Sequence, residues 1–361
     1  MIDLIFEFFL KTNLFLSIGF SGFLIIFMIF YSRKIHMILN IKTYDAVQKI
    51  HHKNDHISRE GGLCMFMGLS FFWFINYESL DFEFNRVFSY MILFSAPILI
   101  FAVIEDFYQN ISPLVRLISI FFSASLFLIF QQYGYPQIEL PFLSFINDHE
   151  IILFILFALC ITALCNGMNI IDGTNGLAST NALASLASIS FLALVSNDYL
   201  ILSISLVFAM FLILFLFFNY PWGSIFLGDF GAYFCGWVIS ILLIILFSRN
   251  PSLPSWNAAL IVFYPIFEVI FSYFRKILSG NNPMKPDGKH FHLLLFFLLN
   301  RDLNERKKVA NCLVLPFLTF FWLFPAMIIP WVYTHIELII LCLVILILFY
   351  VSIYNFLKIN K

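Results

Sequence analysis

Charge is scarce in this sequence. Only 11% of its 361 residues are Asp, Glu, Lys or Arg, where a soluble globular chain is nearer a quarter charged. That argues against an ordinary soluble domain. Patterned cysteine is missing too: Cys64, Cys160, Cys165, Cys235, Cys312 and Cys342 sit within or beside apolar runs, with no CxxC or Cys/His metal spacing. They read as small core or lipid-facing residues, not as disulfides or metal ligands. The first residues lack a basic leader, since Asp3 and Glu7 stand there, so no cleavable signal peptide is expected. No internal repeat, low-complexity linker or soluble domain is evident. What abounds is apolar: 61% of residues are hydrophobic, 49 are phenylalanine, and the mean hydropathy is +0.94. So much exposed Phe would aggregate in water and is unexceptional against lipid.

A membrane span needs about 20 mainly apolar residues. The candidates are Leu14–Tyr31, Leu63–Tyr77, Phe88–Ile104, Leu114–Phe130, Ile151–Cys165, Leu177–Val195, Tyr199–Phe218, Phe230–Phe247, Ala258–Phe274, Val309–Ile329 and Leu338–Leu357. The expected fold is all-α: one polytopic integral membrane helical bundle over 1–361, with about 11 transmembrane helices. Cytoplasmic loops carry the excess of Lys and Arg. With the N-terminus outside and the C-terminus cytoplasmic, only Lys11, Arg86 and Arg249 of the 20 basic residues fall outside. The outside acids, among them Glu83 and Glu139, read most simply as a solvated face. The loops expected on the cytoplasmic face are 42–62, 105–116, 166–176, 219–231 and 275–308.

The most telling stretch is Asn166-Gly167-Met168-Asn169-Ile170-Ile171-Asp172-Gly173-Thr174-Asn175-Gly176. Glycines permit tight turns and close backbone approach, and Asn and Asp offer acceptors to a polar ligand or a cation. A plain turn between helices would need only a few residues. Glu105, Asp106, Asp172 and Asp229 likewise fall at expected cytoplasmic helix ends, avoiding the cost of a charge at mid-membrane. Carboxylates gathered there repel one another unless a cation or basic groups intervene. Hard divalent cations are commonly held by one or two carboxylates plus substrate phosphate oxygens, and the same loops are rich in Lys, Arg and His. The combination suggests phosphoryl chemistry on a substrate with one end in lipid.

Five motifs in order carry a resemblance: His52…Arg59-Glu60-Gly61-Gly62; Glu105-Asp106 with Ser112-Pro113-Leu114-Val115-Arg116; Asn166–Leu177; Phe226-Leu227-Gly228-Asp229; and Pro283…Pro286-Asp287…His290-Phe291-His292. The chain resembles the polyprenyl-phosphate N-acetylhexosamine-1-phosphate transferases, glycosyltransferase family 4. It looks closest to the branch that initiates O-antigen, enterobacterial common antigen and teichoic acid linkage units. The resemblance implies that undecaprenyl phosphate attacks the sugar-proximal phosphate of a UDP-N-acetylhexosamine and releases UMP, with Mg²⁺ or Mn²⁺ required. It implies a bacterial inner (cytoplasmic) membrane location, the lipid bilayer as surroundings and no nucleic acid partner, and it is compatible with a homodimer.

The resemblance also implies roles. Asp229 is the expected metal ligand, with Asp106 beside it. Glu105 and Asp106 position the metal and the lipid phosphate, with base catalysis by Asp106 and a covalent aspartyl-phosphate route as alternatives. Asn166, Asn169, Asp172 and Asn175 belong to the nucleotide-sugar pocket, and Phe226 is placed to stack on uracil. His290 and His292 contact phosphates or stabilise the leaving group; Lys49 and Arg59 bind anions. Glu268, deep in a span, supports the site from behind. Three departures stand out. Glu105 replaces the usual Asp, Asn175 replaces the second acid of Asp-Gly-x-Asp-Gly, and Leu293 replaces a third His. Asn175 is expected to bear on the choice of sugar. The rival readings are a transporter, which expects charges near mid-membrane in repeated halves, and a catalytically impaired scaffold.

Overall fold

The computed structural model describes residues 2–38, 57–108, 111–139, 144–283, 287–303 and 306–360. Lys49 and the rest of the first expected loop as far as residue 56 lie outside them. The described helices are α1 (Ile2–Lys11), α2 (Leu14–Ile38), α3 (Gly61–Asn76), α4 (Phe82–Leu93), α5 (Ala96–Tyr108), α6 (Pro113–Phe130), α7 (Glu150–Ile171) and α8 (Leu177–Val195). They continue as α9 (Tyr199–Asn219), α10 (Gly228–Arg249), α11 (Trp256–Ile261), α12 (Phe263–Leu278), α13 (Phe291–Asp302), α14 (Lys307–Leu318), α15 (Phe320–Val332) and α16 (Ile336–Asn360).

Every expected span falls on one of these helices or on a consecutive pair. Among the described residues nine helical stretches are long and apolar enough to cross a membrane, α4–α5 and α14–α15 each counting as one. The remaining two expected spans are α3, with 16 residues, and the broken pair α11–α12. Proline explains two breaks. A proline lacks the N–H for the i−4 carbonyl and its ring clashes with that group. Accordingly α4 ends at Leu93, four residues before Pro97, and α11 ends at Ile261, four residues before Pro265. The structure also adds helices where none was expected. The 275–308 loop contains α13, and α7 runs on to Ile171, so Asn166 and Asn169 project from a helix.

The bundle is organised around α10. Its sequence is apolar on all sides, the pattern of a helix with no lipid-facing or solvent-facing stripe, and every residue from Phe230 to Phe247 is buried. It packs against α3, α5, α7 and α8. Small residues let helices approach closely within a membrane. At Gly62 an added Cβ would lie 2.1 Å from Gly231 Cα, so α3 and α10 touch backbone to backbone.

Helix ends sort into two groups. At one end Arg249 pairs with Asp198 (2.8 Å) and Glu83 (3.1 Å), and Ser255 N–H donates to Glu139 (2.9 Å). Glu83 and Glu139 thus tie connections together and are not merely a solvated face. At the opposite end the segment before α3, the α5–α6 connection, the end of α7 and the start of α10 meet, which is where the candidate residues lie.

Gly62→Ala is expected to lower the thermal unfolding midpoint in detergent, since overpacking costs about 1–3 kcal/mol. Gly19→Ala, where an added Cβ meets nothing within 4 Å, serves as the matched control and should leave the midpoint unchanged or raise it.

Candidate active site

Two loops are joined by backbone hydrogen bonds before any side chain acts. Residues 58 and 225 form a parallel bridge; Phe226 N–H donates to Ser58 O (2.8 Å), Gly61 N–H to Phe226 O (3.0 Å) and Gly62 N–H to Leu227 O (2.8 Å). Gly228 then turns the chain into α10 at φ +77°, and a Cβ there would lie 2.0 Å from Arg59 O. Only glycine fits both the left-handed backbone and the contact. The result sets Arg59 against the first turn of α10.

That turn carries Asp229 and has free N–H groups, a favourable place for anions. Asp106 occupies it: Oδ1 accepts from Asp229 N–H (2.8 Å) and Oδ2 from Phe230 N–H (3.2 Å). Asp229 Oδ1 accepts from Asn169 (3.1 Å) and Arg59 (3.3 Å), while Oδ2 accepts from Arg116 (3.1 Å). Arg59 lies 3.5 Å from Asp106, and Arg116 lies 3.5 Å from Glu105, whose other oxygen accepts from Ile111 N–H (2.8 Å). Three acids are therefore interleaved with two guanidiniums. Burial works against the charge on Arg59, but Asp106, Asp229, Asp172 and Glu105 outweigh it and lift its pKa above the ordinary value.

Beside this cluster opens a cavity of about 180 Å³, lined by Arg59, Asn169, Asp172, Gly173, Thr174, Asn175, Asn219, Phe226, Leu227, Gly228 and Asp229. Six of the expected site residues share it: Arg59, Asn169, Asp172, Asn175, Phe226 and Asp229. No basic side chain among the described residues makes an ion pair with Asp172. Burial pushes its pKa well above the carboxylate range, with Asp229 and Asp106 adding repulsion and Arg59 opposing it. The cavity wall thus carries two carboxylates, Asp172 and Asp229, and one guanidinium, Arg59.

The other expected residues sit elsewhere. Glu105 and Asp106 lie behind Asp229, and Asn166 is half-buried on α7 without lining the cavity. His292 is buried and backs the 172–176 loop, since a Cβ on Gly173 would lie 2.3 Å from its Nε2. Burial, with His290 adding to it and Glu268 opposing, lowers the His292 pKa to about 3, so it is a neutral imidazole at physiological pH. His290 Nδ1 is 2.9 Å from Glu268 Oε1, which places Glu268 behind the histidine. Asn175 lines the cavity, yet its amide donates to Pro221 O (3.2 Å) and its N–H donates to Asn311 Oδ1 (2.8 Å). The amide is therefore turned toward the scaffold.

Sequence reasoning passed over Asn219, whose Oδ1 accepts from Gly176 N–H (2.6 Å) and whose amide donates to Ile225 O (2.8 Å). Its signal was a lone amide at the end of an apolar helix. Asn311 carried no such signal, being one polar residue in an apolar segment. Arg116 was noticed only as part of a motif and is a direct partner of Asp229.

Residues 88–247 match the family model described as glycosyl transferase family 4. The chain is 32% identical over 78 residues to the undecaprenyl-phosphate alpha-N-acetylglucosaminyl 1-phosphate transferase of Thermotoga maritima, covering 22% of this chain and 25% of that protein. It is 37% identical over 90 residues to the probable undecaprenyl-phosphate N-acetylglucosaminyl 1-phosphate transferase of Bacillus subtilis, covering 24% of this chain and 25% of that one. The chain thus spans about a quarter of the length of the curated relatives it matches.

Asp172→Asn is expected to stabilise the protein in chelator-treated detergent. A carboxyl whose pKa is raised on folding holds its proton more tightly in the folded state, so stability falls as pH rises from the unfolded value, about 3.9, toward the folded one. Above that the penalty is constant, and the amide never incurs it. The unfolding midpoint of Asp172→Asn should exceed the parent's at pH 8, and the gap should close toward pH 4.

Proposed function

We propose, from the premise that residues 88–247 belong to glycosyl transferase family 4, that this chain transfers N-acetylhexosamine-1-phosphate from a UDP-sugar to undecaprenyl phosphate. UMP leaves, and the product starts a lipid-linked cell-surface polysaccharide. One observation carries the reading: a single polar cavity gathers Arg59, Asn169, Asp172, Phe226 and Asp229 from segments far apart in the chain. A second, apolar cavity of about 530 Å³ supports it. It lies between α7, α10 and α11–α12, with Phe157, Leu243, Phe247, Val262 and Ile266 among its walls and Glu139 and Ser255 at the end away from Asp229, and its apolar stretch suits an isoprenoid tail. The same α7 and α10 deliver Asn169 and Asp229 to the polar cavity.

The attacking group is a phosphate monoester with a second pKa of about 6, already mostly dianionic at neutral pH. Its oxygen forms a bond to the sugar-proximal phosphorus as the bond from that phosphorus to the bridging oxygen breaks, and UMP keeps the bridging oxygen. No proton need be removed first, so positioning and charge stabilisation supply most of the catalysis. Arg59 and Arg116 sit within reach of carboxylate oxygens and offer N–H donors to phosphate oxygens in the same place. Phe226, on the cavity wall, offers a face to a uracil ring.

Among the described residues no three His, Cys, Asp or Glu side chains form a ready-made metal cage. That fits Mg²⁺ or Mn²⁺ held by one or two carboxylates together with substrate oxygens. Asp229 and Asp172 are the carboxylates on the cavity wall; the oxygens of Asp106 accept from the α10 backbone, while those of Asp229 accept from the side chains of Asn169, Arg59 and Arg116, which a cation and phosphates would displace. Asp229 with Asp172 would therefore hold the cation and Asp106 would fix the turn beneath it. Bound there, the cation would polarise the diphosphate and offset charge on the departing UMP. We place this end of the bundle in the cytoplasm, at the bacterial inner membrane, following the distribution of Lys and Arg.

Full-length protein in detergent, given undecaprenyl phosphate, Mg²⁺ and a panel of UDP-N-acetylhexosamines, should release UMP with at least one sugar. Asp229→Asn should insert and fold yet lose turnover at least about a hundredfold, as expected when transition-state charge stabilisation is removed. Retained turnover at saturating Mg²⁺ would count against Asp229 as the ligand, and no UMP release from the parent with any sugar would overturn the reading.

A further inference from the structure

The carboxyl group of Glu268, in the middle of α12, is buried and sits outside the polar cavity. Three donors converge on it. Oε1 lies 2.9 Å from His290 Nδ1 and 3.4 Å from Phe291 N–H, and Oε2 accepts from Tyr350 Oη at 2.5 Å. Tyr350 belongs to α16, the helix most distant in sequence from the acid cluster. It is fully buried, and its ring packs on Phe267 (4.9 Å), Phe291 (4.8 Å) and Phe271 (5.2 Å). One turn further along α16, Tyr354 Oη donates to Lys289 O (3.0 Å). Two tyrosines of α16 therefore hold residues 289–291, one by the backbone and one through a carboxylate.

We propose that Tyr350 is a positioning residue for His290, acting through Glu268. A carboxylate that receives the Nδ1–H of an imidazole fixes its tautomer and ring plane and leaves Nε2 bare on the opposite side. Among the described residues Tyr350 is the only donor to Glu268 Oε2, so its hydroxyl decides how firmly that carboxylate is oriented. Two further groups face His290. His292 stacks on it with ring centroids 5.9 Å apart and planes 10° apart. Asp287 lies 3.9 Å from Nε2 and is itself gripped by Arg275 at 2.7 and 3.1 Å. Tyr264, one turn before Glu268 on α12, has a buried hydroxyl without a partner among the described residues and supplies no hydrogen bond to the carboxylate.

The proposal rests on the transferase reading only for its kinetic arm. Tyr350→Phe removes one hydroxyl and leaves the ring packing in place. In spectra of ¹⁵N-histidine-labelled protein, assigned with His290→Asn, the parent should show His290 protonated at Nδ1 and bare at Nε2. The Tyr350→Phe variant should show a mixture of tautomers. In the UMP-release assay it should lose about tenfold in kcat with KM changed less than about twofold, the effect of loosening a partner one bond behind an active group. Tyr264→Phe, which deletes that hydroxyl, should match the parent in both arms. An unaltered His290 tautomer in Tyr350→Phe overturns the proposal whether or not the protein turns over. Tautomer loss in a protein whose parent releases no UMP supports the positioning network while removing the transferase reading.

Discussion

Like charge crowded at the N-terminus of α10 is the constraint that the rest of the site is arranged to tolerate. Asp106 and Asp229 share one helical turn, with Glu105 adjacent and Asp172 across the cavity. The crowding is relieved in two ways. Backbone N–H groups of the first turn, which would otherwise lack partners, receive Asp106. Arg59 and Arg116, from separate segments, bridge the remaining oxygens. Both depend on the hydrogen-bonded pairing of residues 58–62 with 225–227 and on the glycine contact between α3 and α10. Asp172 is left outside the arrangement. Burial is the main cause that raises the Asp172 pKa, and repulsion from Asp229 and Asp106 adds to it.

Much of this was legible because membrane chains spend charge sparingly. The apolar runs located the helices, and the few polar interruptions located the site. Asp229 and Asp172 were singled out this way, Asn169 and Arg59 through the resemblance, and the four share a cavity. What stayed hidden depends on three-dimensional placement of residues that look ordinary in sequence. Tyr350 is one aromatic among many in an apolar run, and only its burial against Glu268 distinguishes it. The division of labour between Asp106 and Asp229 was hidden for another reason: adjacent motifs reveal which acids meet but not which oxygens the backbone claims. The breaks at Leu93 and Ile261 each lie four residues before a proline, but Pro316, Pro325 and Pro330 sit inside α14 and α15 without such a break, so neither proline nor hydropathy alone marks them.

The departures from the family pattern also acquire physical reasons. The longer side chain of Glu105 spans from α5 to the N–H of Ile111, with Arg116 on its other oxygen, so the extra methylene closes a connection. At position 175 the amide donates to Pro221 O, a bond that a carboxylate, which only accepts, could not make. Asn311 holds the backbone of the same residue, while Asn175 Oδ1 is buried with no hydrogen-bond partner among the described residues. These two bonds make Asn175 a determinant of the shape of the 172–176 loop.

The two ends of the bundle solve different problems with the same residue types. At the end bearing Asp198, Arg249 and Glu83, ion pairs join one helix connection to another, and Arg86 and Arg249 flank the ring of Tyr133 at 5.3 and 5.5 Å. Asp198 and Glu83 there each have a cation, while Glu139 accepts from the N–H and hydroxyl of Ser255, and the network serves to hold connections together. At the opposite end the acids outnumber the guanidiniums that reach them, and the surplus carboxylate faces a cavity. Ion pairing by itself would therefore not distinguish a functional cluster from a structural one in this protein. The distinguishing feature is that three acids meet two guanidiniums at one helix N-terminus, with a further carboxylate, Asp172, on the wall of the adjoining polar cavity.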